Sequence, residues 1–432
     1  MHRIMNNFSE CDVLVVGGGP AGSTIASLLA QQQRHVVVLE KERFPRFHIG
    51  ESLLPLNLPL FKRLGVAEEI ERIGVYKPGA ELVSDAHDAA GTFRFSDNPY
   101  LSVGYSYQVR RAEFDKLLLD NSGRLGAEVR EEVRVTDIVL DKCRRPRVSA
   151  VDKKGGKTEW LPRFLVDATG RDTLLSGQLG LKCVDKRNNT AAVFGHFRNV
   201  PRRPGDKAGM ITVYLFDHGW FWMIPLPDDV MSVGVVGTRA FFKGKGGDID
   251  ALFAEAVAAT PSLAAHMAKA EPLGPLTACA DYSYDSRSYV GESHILIGDA
   301  AAFIDPLFSS GVMMAMSSAA FASTAVDGLL EGRPRERIVR DYERKIRLSL
   351  TSLSWLIYRI NAPILRDLLV SSFDLFNTRH ELITVLAGDF YGRRRFLSPL
   401  RRLQLAYGCL LLLSKLGFRL RGNGITWGRR RA

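Results

Sequence analysis

Two periods of apolar spacing divide this chain. Near its start, Val13-Leu14-Val15-Val16 and Val36-Val37-Val38-Leu39 are short, unbroken and mostly branched. Such runs predict strands buried on both faces of a sheet. With the small and apolar residues between them, the stretch reads strand, tight turn, helix, strand. "FLVDATGRDTLL" predicts another strand entering a turn at Asp167 to Gly170. "HILIGDAAAFIDPLFSSGV" predicts a strand into Gly298-Asp299, then a loop punctuated by Pro and Gly, then a helix of small residues. Strand-like pieces at 157–166, 191–200, 209–216 and 229–238 predict an antiparallel sheet set between these segments. Residues 248–270 have helical spacing broken before Pro261, and from about 346 the spacing is helical again, with a break at Pro363.

The glycines turn this pattern into chemistry. Gly17-x-Gly19-x-x-Gly22 lies between the first strand and its helix. Gly17 permits the turn, Gly19 lets a backbone approach a pyrophosphate, and Gly22 lets the helix lie close to the strand. The free N–H groups of the helix start favour phosphate. Glu40 ends the second strand, 18 residues after Gly22, where an acid can take ribose hydroxyls. Ala21 and Lys41 join this candidate cofactor set. The fold class expected is α/β. A GxGxxG Rossmann-like domain spans 1–75, 103–175 and 285–345. An inserted antiparallel-sheet substrate domain spans 76–102 and 176–284, and a helical region with a basic tail spans 346–432.

Charge changes the picture at one end only. The net charge is +11, and from Arg393 onward there are eleven Lys and Arg and no Asp or Glu, so residues 1–392 balance to zero. A nucleic-acid protein carries a basic patch on its folded body, so none is expected as partner. The tail is suited to an acidic partner, a lipid headgroup layer or solvent. The five cysteines are odd in number and form no CxxC, which predicts reduced thiols and a cytoplasmic setting. No histidine pair has ligand spacing, so no metal is expected. No apolar leader opens the chain, and no stretch reaches the roughly 18 apolar residues of a membrane span.

The glycine motif, the Gly298-Asp299 strand end and "VRRAEFDKLLL" together resemble the FAD domain of flavin monooxygenases of the hydroxybenzoate-hydroxylase type. That resemblance implies flavin contacts at Arg111, Asp299 and Gly311. Four further segments narrow it: "PRFHIGESLLP", "VYKPGA", "GWFWMIP" and "DPLFSSGV". Over about residues 10–345 the chain is similar to flavin-dependent halogenases. The resemblance implies that reduced FAD, supplied by a separate flavin reductase, and O₂ oxidise a bound chloride or bromide to hypohalous acid. It implies that Lys77 holds this oxidant beside an aromatic substrate, that Ser310 and Gly311 hold the halide, and that Trp220 and Trp222 wall the flavin off from the substrate. Alternation on a strand also puts the two tryptophans on one face and Phe221 and Met223 on the other. Tryptophan halogenases typically carry a glutamate just before the Ser/Thr-Thr/Ser-Gly of the halide loop, whereas before Ser309-Ser310-Gly311 Phe308 stands here as a lining residue. That departure implies a phenol or pyrrole, free or on a carrier protein. The glycine motifs are shared with aromatic monooxygenases and geranylgeranyl-reductase-like enzymes, which are the competing readings. A third reading is a non-catalytic FAD-bound scaffold docked through its tail.

Overall fold

A computed structural model describes residues 8–141, 145–185, 190–242, 248–280, 283–360, 362–370, 378–389, 399–421 and 424–427. Two sheets organise it. The first has seven strands. Its parallel centre places Ser9–Val16 between Val36–Leu39 and Lys157–Asp167. Glu128–Arg130 extends it beyond Val36–Leu39, and His294–Leu296 pairs with the far end of Lys157–Asp167. Val13, Leu14 and Val15 are fully buried, as residues covered on both faces must be. The helix Pro20–Gln31 covers one face, and Gly311–Leu330 lies against it through Ala315, Ala319, Ala322 and Val326.

The second sheet has eight strands, in the order Glu271–Pro272, Thr190–Arg198, Met231–Thr238, Gly219–Pro225, Ile211–Phe216, Gly79–Ser84, Ala89–Arg94, with Thr277–Ala280 also on Thr190–Arg198. It is antiparallel except where Ile211–Phe216 runs parallel to Gly79–Ser84. That exception follows from the chain path, because these neighbours enter the sheet more than a hundred residues apart and no hairpin joins them.

The fold departs from expectation in three places. The piece 157–166, grouped with the antiparallel pieces although inside the expected 103–175 span, belongs to the parallel sheet: the strand Lys157–Asp167 begins as an antiparallel hairpin with Arg147–Asp152 and ends parallel to Ser9–Val16. One strand can serve both pairings because its two halves meet different neighbours. The expectation that no stretch is long and apolar enough to span a membrane fails at Gly311–Leu330, with a mean hydropathy of 1.3. It is rich in small residues, and more than half of it is buried in the protein body, as in the core helix of a folded domain. Finally, the expected helical C-terminal region contains Pro363–Val370, Thr378–Leu386 and Pro399–Lys415, but also a hairpin of Phe418–Arg421 with Gly424–Trp427. Its Gly422-Asn423-Gly424 sequence is a strong hairpin signal. The arginine clusters 393–395 and 429–431 lie outside the described residues.

Candidate active site

A cavity of about 530 Å³ opens between the carboxyl end of the parallel strands and the eight-stranded sheet. Its size is in the range of small-molecule and cofactor sites, about 300–1,000 Å³. Position agrees with size, since open α/β sheets bind ligands beyond the carboxyl ends of their strands.

The glycine turn forms one end. Gly17 has φ +102°, and a Cβ there would come within 2.4 Å of the Ala168 carbonyl oxygen. A Cβ on Gly22 would come within 1.9 Å of the Gly17 carbonyl oxygen. Both glycines are therefore required by packing. Gly19 differs: a Cβ there would meet only Arg46 Nη2, at 3.7 Å. The turn is thus open above Gly19, under a guanidinium, which fits a pyrophosphate. Glu40 is buried and accepts from the N–H groups of Gly18 (2.6 Å) and Glu42 (2.8 Å). Each of its oxygens keeps a second lone pair for a ligand hydroxyl. Lys41 pairs with Asp172 across the cavity mouth.

Arg111 starts the helix Arg111–Arg124 and grips Asp115 with Nε–Oδ1 2.7 Å and Nη2–Oδ2 2.9 Å. Its Nη1 donates to the Ile49 carbonyl at 2.8 Å, tying down the loop 45–52. The same guanidinium, helped by burial, pushes His48 down to about 4, so that imidazole is neutral. Burial pushes the Asp299 carboxyl up to about 6. Of the candidate cofactor residues, Gly17, Gly19, Ala21, Glu40, Lys41, Arg111, Asp299 and Gly311 share the cavity wall, and Gly22 lies beneath it.

The opposite wall carries Trp220 and Trp222, with ring centroids 5.9 Å apart. They pack with Ile224 in one apolar cluster, whereas Phe221 and Met223 pack in another on the far face of the strand. Trp222 Nε1 donates to Ser232 Oγ at 3.2 Å. Gly234 makes room for this indole: a Cβ there would lie 2.3 Å from the Trp222 ring. Gly234→Ala is therefore expected to displace Trp222 and destabilise the fold by about 1–3 kcal/mol, the usual cost of overpacking. Denaturant unfolding followed by tryptophan fluorescence measures both effects.

Lys77, Ser310 and Phe308 are not in the cavity wall. Phe308 turns into the apolar cluster of Trp220 and Leu353, leaving Leu307 and Ser309 in the wall. Ser310 is buried and stands at the N-cap position of the helix Gly311–Leu330, with no capping hydrogen bond from its side chain. Lys77 is 1% exposed, on the strand Gly74–Lys77 opposite Ser106. Its Nζ donates to Ser52 Oγ and to the Leu53 carbonyl, each at 2.8 Å. Ser52 is in the cavity wall, so the amine sits one hydrogen bond behind it. Burial pushes Lys77 down to about 7. Ser106 Oγ and Gln108 Oε1, on the paired strand, are buried without partners among the described residues. An orphaned polar atom in a dry interior is costly, and these two lie on the strand paired with that of Lys77.

Residue spacing does not bring out Arg46, Phe47 or Phe194. Arg46 pairs with Glu42 at 2.9 Å and reaches over Gly19. Phe47 stacks on Phe194, centroids 6.5 Å apart, in the wall beside Trp222. The sequence signal for Arg46 and Phe47 is "FPRFHIG", basic and aromatic residues crowded into a loop, whereas Phe194 is one apolar position of the strand-like piece 191–200.

The FAD binding domain family matches residues 10–352. A 1H-pyrrole-2-carbonyl-[peptidyl-carrier protein] chlorinase of Pseudomonas fluorescens is 33% identical, over 89% of this chain and 91% of that one. This chain belongs to the flavin-dependent halogenases. A tryptophan 2-halogenase of Chondromyces crocatus is 36% identical, over 75% of this chain but only 62% of its own length. Among solved structures, the myxobacterial chondrochloren halogenase matches with a TM-score of 0.78 at 30% identity, over 92% of this chain and 97% of that one. A flavoprotein/dehydrogenase of Cytophaga hutchinsonii matches with a TM-score of 0.85 at 27% identity, over 93% and 99%. The cofactor of this halogenase is accordingly FAD, and the open turn at Gly19 with the acid at Glu40 suits it.

Proposed function

We propose that this halogenase acts on an electron-rich ring, a phenol or pyrrole, presented on a carrier protein, in the cytoplasm, with reduced FAD delivered by a separate reductase. The observation that carries the reading is Lys77, a fully buried amine pushed down to about 7 and linked through Ser52 to the cavity wall. Bound in reduced form, FAD with O₂ supplies the oxidising power that converts chloride or bromide to hypohalous acid. The chain's own residues do the rest. The turn and Glu40 hold the dinucleotide end, and the N–H groups of Ser310 and Gly311 at a helix start suit a halide. Trp220 and Trp222 keep organic substrate from the flavin. Lys77 Nζ, donating to the oxidant, polarises its halogen–oxygen bond and delivers it to the ring.

A carrier-bound substrate is supported by the chlorinase relative, whose own substrate is pyrrole on a peptidyl carrier. Phe308 supports a ring that needs no glutamate base beside the lysine. Turnover with reduced FAD, O₂ and bromide on free and carrier-bound phenols and pyrroles tests this. Mass spectrometry should show a bromine isotope pair on the carrier-bound product. Hydroxylated product formed equally without halide would overturn the reading in favour of a monooxygenase.

A further inference from the structure

The loop 45–52 holds a buried acid that none of these roles uses. Glu51 is 1% exposed and lies in the cavity wall. Its Oε1 accepts from His196 Nε2–H at 2.8 Å. Its Oε2 is buried and has no hydrogen-bond partner among the described residues. A carboxylate oxygen left bare in an apolar wall costs more than most single interactions gain, so packing alone does not account for it. His196 sits on the strand Thr190–Arg198, with its side chain 26% exposed and its ring edge-on to Phe47 at 5.8 Å. The pair therefore links solvent to the cavity. Glu51 and Ser52 are consecutive yet face different partners: Ser52 takes the Lys77 hydrogen bond, and Glu51 takes His196.

The net oxidation has a proton to account for. Reduced FAD, O₂, a halide ion and one proton give oxidised FAD, water and hypohalous acid. Atoms and charge balance only with that proton. We propose that His196 and Glu51 are the route by which it arrives, an inference that rests on the halogenase reading. His196 takes a proton from solvent and passes its Nε2 proton to the Glu51 carboxylate. A half-turn of the carboxyl brings that proton to the Oε2 side, where it neutralises the oxygen of the oxidant as the halogen–oxygen bond forms. Glu51 returns to carboxylate, and the His196 ring, left with the solvent proton on Nδ1, exchanges tautomer through solvent to restore Nε2–H. The other charged and titratable groups on the packed elements include Arg111 and Asp115 on their helix, Arg46 and His48 in the loop, and Arg198 with Glu271 at the sheet edge.

The test uses the FAD-loaded enzyme with reduced FAD, O₂ and bromide, trapping hypobromous acid with excess soluble amine as the haloamine. Glu51→Gln and His196→Gln should each lower trapped oxidant per reduced FAD consumed by about a hundredfold or more, within the range for a lost proton donor. Hydrogen peroxide should make up the difference, and FAD affinity should not change. A second readout needs no turnover: flavin-free Glu51→Gln should melt no lower than the wild type, because the change keeps the volume and removes a buried oxygen that has no partner among the described residues. Should Glu51→Gln fail to fold, His196→Gln, at a partly exposed site, carries the test. Wild-type oxidant yield in the folded variants, or an oxidant loss matched by a lower flavin-free melting temperature, overturns the relay. Absence of trapped oxidant from the wild type would instead overturn the halogenase reading on which it rests.

Discussion

Lys77→Ala is expected to cut halogenation of the aromatic substrate by about a thousandfold or more, the upper range for removal of a positioned proton donor. FAD binding and the output of trappable hypohalous acid should stay near wild type. The split follows from position. Lys77 is outside the wall that holds the cofactor residues and touches it only through Ser52. Removing the amine thus leaves oxidant generation intact and removes its delivery. A variant with neither output would place Lys77 in the oxidation step instead. Because a buried Ala leaves a void and strips Ser52 and Leu53 of their donor, Lys77→Met is the companion that preserves volume.

The same residue makes stability depend on pH in a predictable direction. The amine's folded value of about 7 lies well below the ordinary 10.5 it regains on unfolding. Between these values the unfolded chain binds more protons, so stability rises with pH across this window. Below about 7 both states are protonated and the dependence levels off. Lys77→Met lacks this slope, so the wild type should gain melting temperature relative to the variant as pH climbs from neutral. Parallel curves would mean the amine is solvated in the folded state.

How far each of these features is legible in the sequence depends on the range over which it is encoded. The dinucleotide turn is local: six residues between two strands carry its steric demands, and Gly17 and Gly22 answer them within that span. Lys77 stands out only through its Pro-Gly context and its likeness to a family. The burial that lowers its pKa comes from Phe95 and the loop at Ser52, which spacing does not bring near. The Glu51–His196 pair is separated by 145 residues and obeys no period. For the strand Lys157–Asp167, alternation names a strand but not its neighbours, and its two halves have different ones, so the pattern alone points to the wrong sheet. Phe308 gains an expected lining place from its position before the halide loop. The backbone turn at Ser309, with φ +56°, accompanies a reversal that sends the ring into the apolar cluster instead.

Gly22→Ala and Gly19→Ala are expected to fail for opposite reasons. Both positions accept alanine by their backbone angles, and alanine within a helix normally stabilises by about 0.5–1 kcal/mol relative to glycine. At Gly22 that gain is overridden, because the new methyl would stand 1.9 Å from the Gly17 carbonyl oxygen, a backbone atom with no rotamer to yield. The helix Pro20–Gln31 must move off the sheet, costing about 1–3 kcal/mol or more. The flavin-free melting temperature should drop, and FAD binding should go with it. At Gly19 the methyl meets nothing nearer than Arg46 at 3.7 Å, so the flavin-free protein should melt as the wild type does. The methyl would nonetheless occupy the opening through which a pyrophosphate reaches the helix N–H groups. FAD affinity should therefore fall at least about tenfold, which corresponds to about 1.4 kcal/mol. Flavin fluorescence titration beside flavin-free thermal melts separates the two. If Gly19→Ala lowered the melting temperature as Gly22→Ala does, the opening above the turn would be a packing feature and the cofactor's phosphates would have to lie elsewhere.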